Sequence, residues 1–572
     1  NNTNFSKMKS KLFTCLTMLF LSLSLVAQPK KVSGTVVDKI GPVIGASVVE
    51  KGTSNGVITD LDGNYTLNVP QGAVLVFSSI GYKDVEVTVG TSSVYNVTLE
   101  EDRLLLDEVV VVGYGTMKKS DLSGASVSMK EEDLKATIIT SLDQTLQGRA
   151  AGVQAVTTSG APGSSSSIRV RGQATINANA EPLYVIDGVI VQGGGNSGAD
   201  FGLGDALGNG KVSTISPLST LNPADIVSME ILKDASATAI YGAQGANGVV
   251  LITTKRGKSG DAKISYDGMF AVSQQTRRLD MMNLREYAQF YNDLVSVGEL
   301  SKPNEVYSDP SILGVGTNWQ DAIFRTALQH QHQLSASGGT DKVQYYVSGS
   351  YVDQEGTIIG SNFDRFSVRT NIDAQLKSWI KLGLSATFAN TNDDLKLADS
   401  SEGLIYYSLS TIPDIPIYDV DGNYSSTVRE GYNNPNPVAL AMEDQILLKR
   451  QKLTGNIYAD ITPFVNFKPL KNLVWRTEVG FDFGWSKGER FEPALTLGSW
   501  SRKSNRSSIQ NNRNTYWQIK NYLTYNNTFG KHNISAMIGQ EMWESRWEYI
   551  SAEGTNLPSN EVHSPVLGTG TP

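Results

Sequence analysis

Four histidines and one cysteine leave this 572-residue chain few routes to side-chain chemistry. His330 and His332 stand two apart, so on a strand they share a face, as two ligands of a metal ion would. A tetrahedral site needs three or four ligands and no third is in sight, so a surface or lumen position is expected and no metal. Aspartates alternate in DLDGNY (residues 60–65) and again in YDVDGNY (residues 418–424), as at the start of a calcium loop. The later ligands and the closing glutamate of such a loop are missing, so both read as hairpin turns, with Gly63 left-handed in the first. The glycine-rich stretch 193–210 ends in Gly210-Lys211, but Val212 stands where a phosphate loop needs Ser or Thr, and Asp205 where it needs glycine. No nucleophile elbow or zinc-protease helix occurs, and Glu131 with Glu132 reads as solvated surface. The expectation is a protein that is not an enzyme and holds no cofactor.

One stretch has chemistry of another kind. DEVVVVGYG (residues 107–115) places Val109, Val110, Val111 and Val112 between charged segments: Glu100, Glu101, Asp102 and Arg103 before, Lys118 and Lys119 after. Four β-branched residues suit a strand. A strand needs a partner, and no neighbouring run claims this one; an edge position in an adjoining domain is the plain alternative.

The elements around these residues follow from composition and period. A length of 572 residues implies several domains. Net charge is −8 and the pI about 5.3, which argues against nucleic acid as a partner. Fifty-four glycines and more tyrosine than phenylalanine or tryptophan suit β-structure with many turns. Lys7, Lys9 and Lys11 precede an apolar run at 12–26, and Ala27-Gln28 offers a cleavage point, as in an export signal. The run is shorter than the ~20 residues of a spanning helix. Leu25 is large for the third position before the cut, so the exact site stays open. Cys15 lies inside the run, so cleavage leaves no thiol and no disulfide. Met8, just before the basic residues, is the expected natural start.

Residues 28–101 read as a small β-sandwich: Val85, Val87 and Val89 alternate with polar residues, and so do Tyr95, Val97 and Leu99. A mixed α/β part follows. Ser141 and Gln144 suggest a capped helix with Leu142 and Leu146 on one face. SIRVRG reads as a strand with Arg169 and Arg171 on one side, before Gly172. PLYVIDGV (residues 182–189) reads as a buried strand ending in an Asp187-Gly188 turn. Asn222 and Pro223 read as cap and first residue of the next helical turn. The stretch from Ser228 gives strand, short helix, glycine turn and strand.

These motifs carry a resemblance. LQGRAAGVQ, IRVRG, PLYVIDGV and LNPADIVSMEILKDASATAIYGAQGANGVVLITTKRGK (residues 221–258) occur in the order found in the plug domain of TonB-dependent outer-membrane transporters, and resemble the SusC/RagA branch. The sandwich before them resembles a carboxypeptidase regulatory-like domain, which is not catalytic in that family. The resemblance marks Arg169, Arg171, Gly172, Asp187, Gly188, Glu230, Lys233, Tyr241, Gly242, Gly245 and Gly248 as plug signature with structural roles. It also gives the valines a use. In the family the TonB box lies between sandwich and plug, so Asp107, Glu108, Val109, Val110, Val111, Val112, Gly113 and Tyr114 are expected to lend a strand to the edge of TonB.

The rest of the chain alternates. Phe366, Val368, Thr370 and Ile372 oppose Ser367, Arg369, Asn371 and Asp373, and Trp475, Val479, Phe481 and Phe483 oppose Arg476, Glu478, Gly480 and Asp482. Soluble sandwiches alternate too, but with an export signal and a plug this reads as a membrane barrel. About nine such strands fit between positions 264 and 542, against ~22 for a plugged transporter, so the chain is expected to end partway through the barrel. Long polar segments such as 392–450 read as extracellular loops.

The fold class expected is therefore mainly β: a regulatory-like β-sandwich, an α/β plug, then an incomplete transmembrane antiparallel β-barrel. The boundaries are signal 1–27, sandwich 28–101, TonB box and linker 102–119, plug 120–257, barrel 258–572. The resemblance implies active import across the outer membrane of an oligosaccharide, or alternatively an oligopeptide. Implied partners are TonB with the ExbB and ExbD energising complex, a SusD-type surface lipoprotein, and outer-membrane lipid. A surface glycan-binding adhesin is the alternative of another class.

Overall fold

The computed structural model describes residues 30–567, apart from 39–40, 54, 80–81, 83, 101–108, 113–114, 119–125, 136–141, 158, 165, 173–179, 192–216, 301, 398–402, 427–432, 468–469 and 531. The export signal, Asp107, Glu108, Gly113, Tyr114, Ser141 and the glycine-rich stretch 193–210 lie outside the described residues. The chain divides into two compact units, one of residues 1–110 with 118–121, the other of 111–117 with 122–572.

The first unit is a sandwich of two sheets. Strands β1 (Lys30–Val37), β4 (Asn64–Val69) and β7 (Val97–Thr98) make one, in the order β4-β1-β7. Strands β2 (Ser47–Glu50), β3 (Gly56–Ile58), β5 (Val74–Ser78) and β6 (Val85–Thr88) make the other, in the order β3-β2-β5-β6. Alternation sends Tyr65, Leu67 and Val69 inward from β4, against Val32 and Val36 of β1 and Leu75 and Phe77 of β5. Val109–Val112 (β8) pairs with Gly115–Lys118 (β9) in a two-stranded sheet of its own, part of neither sandwich sheet.

In the second unit, β10 (Ser126–Lys130), β13 (Leu183–Ile186), β14 (Val189–Val191), β15 (Ile226–Leu232) and β16 (Val249–Thr254) form a sheet ordered β10-β15-β16-β13-β14. Only β13 and β16 run parallel. A second pair, β11 (Val153–Thr157) with β12 (Ser166–Val170), packs with it around Leu142, Leu146, Ile168, Met229, Ile231 and Val250. The short helix expected at Leu142–Leu146 is present, as a 3₁₀ helix of five residues that runs into Gly148 at φ 71°. Its two leucines are both fully buried. One local expectation needs correcting. Arg171 does not share a strand face with Arg169, because it turns out of β12 at φ 60°.

The plug sits against a nine-stranded antiparallel sheet: β17 (Gly260–Ser273), β18 (Ala327–Gly339), β19 (Val343–Glu355), β20 (Asn362–Lys377), β21 (Ile380–Asp394), β22 (Gln445–Ile461), β23 (Leu473–Glu492), β26 (Arg506–Phe529) and β27 (His532–Thr555). A small hairpin, β24 (Leu495–Leu497) with β25 (Trp500–Arg502), interrupts it. Alternation sets the faces. Leu334, Val347, Phe366, Val368, Ile457, Trp475 and Val479 are exposed on the outward face, while Gln333, Ser348, Arg365, Arg369, Asn456 and Asp482 are buried on the inward one. Connections at one end are short, such as 340–342 and 378–379; at the other, those at 274–326, 395–444 and 493–505 are long. The segment read as a loop from 392 to 450 is shorter than expected, because β21 runs to Asp394 and β22 begins at Gln445. Between them helices Leu404–Ser410 and Pro437–Glu443 pack with Trp319 and Ile323 in a small core. Among the described residues no helix is long and apolar enough to cross a membrane.

Candidate functional site

The second unit is held together where plug meets wall, and the contact is polar. Ile186 and Val189 close a two-residue hairpin between β13 and β14, and Asp187 and Gly188 both take positive φ, 46° and 90°. That is the turn Asp-Gly favours. It projects the Asp187 carboxylate and two carbonyls at the wall. Thr254 at the end of β16 donates its N–H (3.1 Å) and hydroxyl (2.6 Å) to that carboxylate. From the wall, Arg369 Nη2 (2.5 Å) and Ser385 Oγ (3.0 Å) donate to the same oxygen, Oδ2. Asn456 donates to the Asp187 carbonyl (2.9 Å), and Gln518 (2.9 Å) and Lys520 (2.8 Å) to the Gly188 carbonyl. Four wall strands thus grip one turn. Burial alone would raise the Asp187 carboxyl, but the Arg369 and Arg256 charges and the Thr254 hydrogen bonds outweigh it and hold the group below the usual carboxylate range.

A second grip lies where β15 begins. Asn222 caps the turn Pro223–Asp225, accepting from Ala224 N–H. Asp225 Oδ1 accepts from Gln333 Nε2, Tyr346 OH and Ser348 Oγ, each at 2.7 Å. Arg365, fully buried, donates from Nη1 to the carbonyls of Ser219 (2.7 Å) and Leu221 (2.6 Å). The inward face also carries the buried pairs Arg450–Asp393 (3.2 Å) and Lys452–Asp482 (3.4 Å).

The residues singled out from the sequence fall into three groups. Asp187 and Gly188 stand at the centre of the first grip. Others lie within the plug: Arg169 is on β12, Arg171 beside Gly172 ion-pairs with Asp234, Lys233 donates to the Ala151 carbonyl, and Glu230 is buried in β15. Tyr241, Gly242, Gly245 and Gly248 shape the turns leading into β16. The valines 109–112 form the separate hairpin already described. Arg365, Asp225, Asn456 and Ser385 were missed as contact residues, although a charged or amide side chain inside a wall strand was a signal for Arg365 and Asn456. His330 and His332 do share a face, the outward one. Their rings lie 5.3 Å apart among Tyr266, Phe270 and Tyr351, and His332 Nδ1 meets Tyr266 OH at 2.7 Å. Among the described residues no group of three His, Cys, Asp or Glu could hold a metal. The second aspartate-glycine loop is a hairpin turn, with Tyr418 bridging Tyr424. The first corrects the expectation: it turns in the same way but joins β3 to β4, which lie in different sheets, so it closes no hairpin.

Residues 32–111 match a family model described as a CarboxypepD_reg-like domain, and residues 118–249 one described as a TonB-dependent Receptor Plug Domain. The chain is 33% identical to TonB-dependent receptor P3 of Formosa agariphila, over 98% of this chain and 52% of that one. It is 35% identical to TonB-dependent receptor SusC of Bacteroides thetaiotaomicron, over 97% of this chain and 55% of the relative. The fold is similar to the RagAB peptide importer in its open-open state, with a TM-score of 0.67 and 25% identity, over 81% of this chain and 52% of that one. The chain spans about half the length of the curated relatives it matches.

Proposed function

The chain belongs with the SusC-type TonB-dependent receptors, to which it is homologous over nearly its whole length, and from that premise we propose that it serves active import of a nutrient across the outer membrane. An oligosaccharide is the proposed cargo, with a SusD-type lipoprotein as lid. An oligopeptide is the second reading, favoured by the likeness to the RagAB peptide importer. No ATP reaches that membrane, so force would arrive through TonB, driven by ExbB and ExbD, on the box at residues 107–114.

The observation that carries this reading is the polar seam between plug and wall. Apolar contacts lose ~25 cal/mol for every Å² exposed to water. A hydrogen bond traded for water costs only ~0.5–1.5 kcal/mol, or ~1.5–3 kcal/mol where a charged group takes part. A plug gripped by Arg365, Arg369, Asn456, Gln518 and Lys520 can therefore be drawn from the wall and rehydrated, then return to the same register. The pairing of β8 supports the box assignment. A lone two-stranded sheet is marginal in water, so Val109–Val112 can exchange one partner for another.

Val110→Pro tests the coupling in the receptor as the cell makes it. Proline removes one N–H and fixes φ. Outer-membrane abundance and cargo binding should stay normal while uptake falls to background. Wild-type uptake would remove the box from the mechanism, and lost abundance would make the valines a structural strand.

A further inference from the structure

On the outward face of the wall, cross-strand register lines up one row of side chains around the sheet. It runs His330, Asp353, Asp364, Asn392, Lys449, Lys487, Asn511, each directly opposite the next. Charge is segregated along it. Two acids face each other on β19 and β20, and two lysines face each other on β22 and β23. Like charges directly opposed in a sheet repel. Asn392 answers the acids by donating to Asp364 (2.8 Å). Two acids of the neighbouring row nearer the long connections answer the lysines: Glu489 reaches Lys487 (2.6 Å), and the Asp394 charge acts on Lys449. One row the other way stand Gln451, Trp485 and Arg513; Glu548, opposite Arg513, is held by Arg546 (2.6 Å). Lys449, Lys487, Arg513 and Arg546 thus share three carboxylates, Asp394, Glu489 and Glu548. A cavity of about 520 Å³ opens over Lys449, Lys487 and Arg513, lined also by Trp485, Gln451 and Asn511.

Depth says what meets this cavity. On β23 Trp475 and Trp485 both face outward, with Val479, Phe481 and Phe483 between them. Ten residues of strand span about 34 Å, or about 24 Å along the membrane normal at ~45° tilt, which matches an apolar band with aromatic girdles. Lys487 is the next outward side chain past the girdle tryptophan, on the side of the long connections. That is the depth of lipid headgroups in the outer leaflet.

We propose that Lys449, Lys487 and Arg513 form a docking site for the phosphorylated headgroup of an outer-leaflet lipid, seated over Trp485. The assignment rests on the outer-membrane placement proposed above. Phosphate oxygens would relieve the Lys449–Lys487 repulsion, and the Gln451 and Asn511 amides can donate to the sugar or phosphate beside them. The acidic half of the same row would reject that headgroup, so binding is expected on β22–β26 and not around the whole wall.

The test uses the receptor as the cell makes it, purified in detergent and titrated with a bisphosphorylated glycolipid, with bound lipid counted by native mass spectrometry. Lys449→Gln with Lys487→Gln should weaken binding on the order of twentyfold, and Asp353→Asn should not weaken it. A heat-modifiable gel shift shows that the double variant is still a folded barrel. Equal binding by the double variant overturns the site. So does equal binding of the same glycolipid stripped of phosphate, and displacement by millimolar inorganic phosphate would make this a free-anion site and overturn the lipid. Cell fractionation separates the two proposals. A receptor outside the outer membrane overturns both, whereas one in that membrane that ignores the phosphorylated lipid overturns only this one.

Discussion

Two stretches of the chain carry nearly the same six residues, DLDGNY at 60–65 and DVDGNY at 419–424, and fold into the same turn in different surroundings. In the first, Asp60 Oδ1 accepts the N–H of Asp62 (3.0 Å) and Asn64 (2.7 Å); in the second, Asp419 Oδ1 accepts those of Asp421 (2.9 Å) and Asn423 (2.8 Å). The glycines match too, Gly63 at φ 73° and Gly422 at φ 84°. The last residue differs in fate. Tyr65 is 3% exposed, edge-on to Phe77, with its hydroxyl donating to the Tyr95 carbonyl at 2.9 Å. Tyr424 is half-buried in a connection of the wall, its ring 5.3 Å from that of Tyr418. Local sequence therefore sets the turn, and what packs behind it sets how much the turn is worth.

A third aspartate-glycine turn extends the comparison and gives the largest expected effect. Asp187→Ala strips the partner from Arg369, which is 2% exposed, and an uncompensated buried charge costs ~3–5 kcal/mol. Hydrogen exchange across 183–191 and 249–254 should accelerate accordingly, and unchanged exchange would mean the grip is not energetic. Tyr65→Ala comes next, at about 3 kcal/mol in exchange protection of β1 and β4, while Tyr424→Ala should cost under ~1 kcal/mol around residues 418–425. Equal losses would break the comparison.

The glycines separate the sites further. Both positive φ values strain an alanine by ~1–2 kcal/mol. At Gly63 the added Cβ would also come within 2.5 Å of the Val36 carbonyl, whereas at Gly422 it meets nothing within 4 Å. Gly63→Ala should thus lower the melting temperature clearly more than Gly422→Ala.

The smallest effect should be the same at both turns. Asn64 N–H chiefly, against the cost of burial, holds Asp60 below the usual carboxylate range, and Asn423 N–H does so for Asp419. A depressed folded-state pKa contributes stability that is full above the ordinary aspartate value and is lost as pH falls through the folded one. The amides of Asn64 and Asn423 should therefore lose protection together below about pH 4. Loss at one turn alone would show that surroundings govern this step as well.

Much of the fold was legible because its signals are local. Period-two alternation marked the wall strands, Asn222-Pro223 marked a capped turn, and Asp187-Gly188 a hairpin. Leu142 and Leu146 marked a short helix, and its 3₁₀ form goes with Thr145 Oγ1 donating to the Leu142 carbonyl (2.6 Å). The misreading came at a strand end: Arg169 and Arg171 suggested one strand face, but β12 stops at Val170 and Arg171 turns away at φ 60°, where it ion-pairs with Asp234, far along the chain.

The sequence by itself determined which residues turn, which alternate, and which face of each strand is apolar, because those properties depend on neighbours two to four positions away. Only the tertiary structure decided which polar faces meet. Arg365 finds the Ser219 carbonyl across 146 positions, and Lys520 finds that of Gly188 across 332. Such contacts leave no period in the chain, since a buried donor needs only an acceptor at hydrogen-bond distance, wherever the fold brings it from.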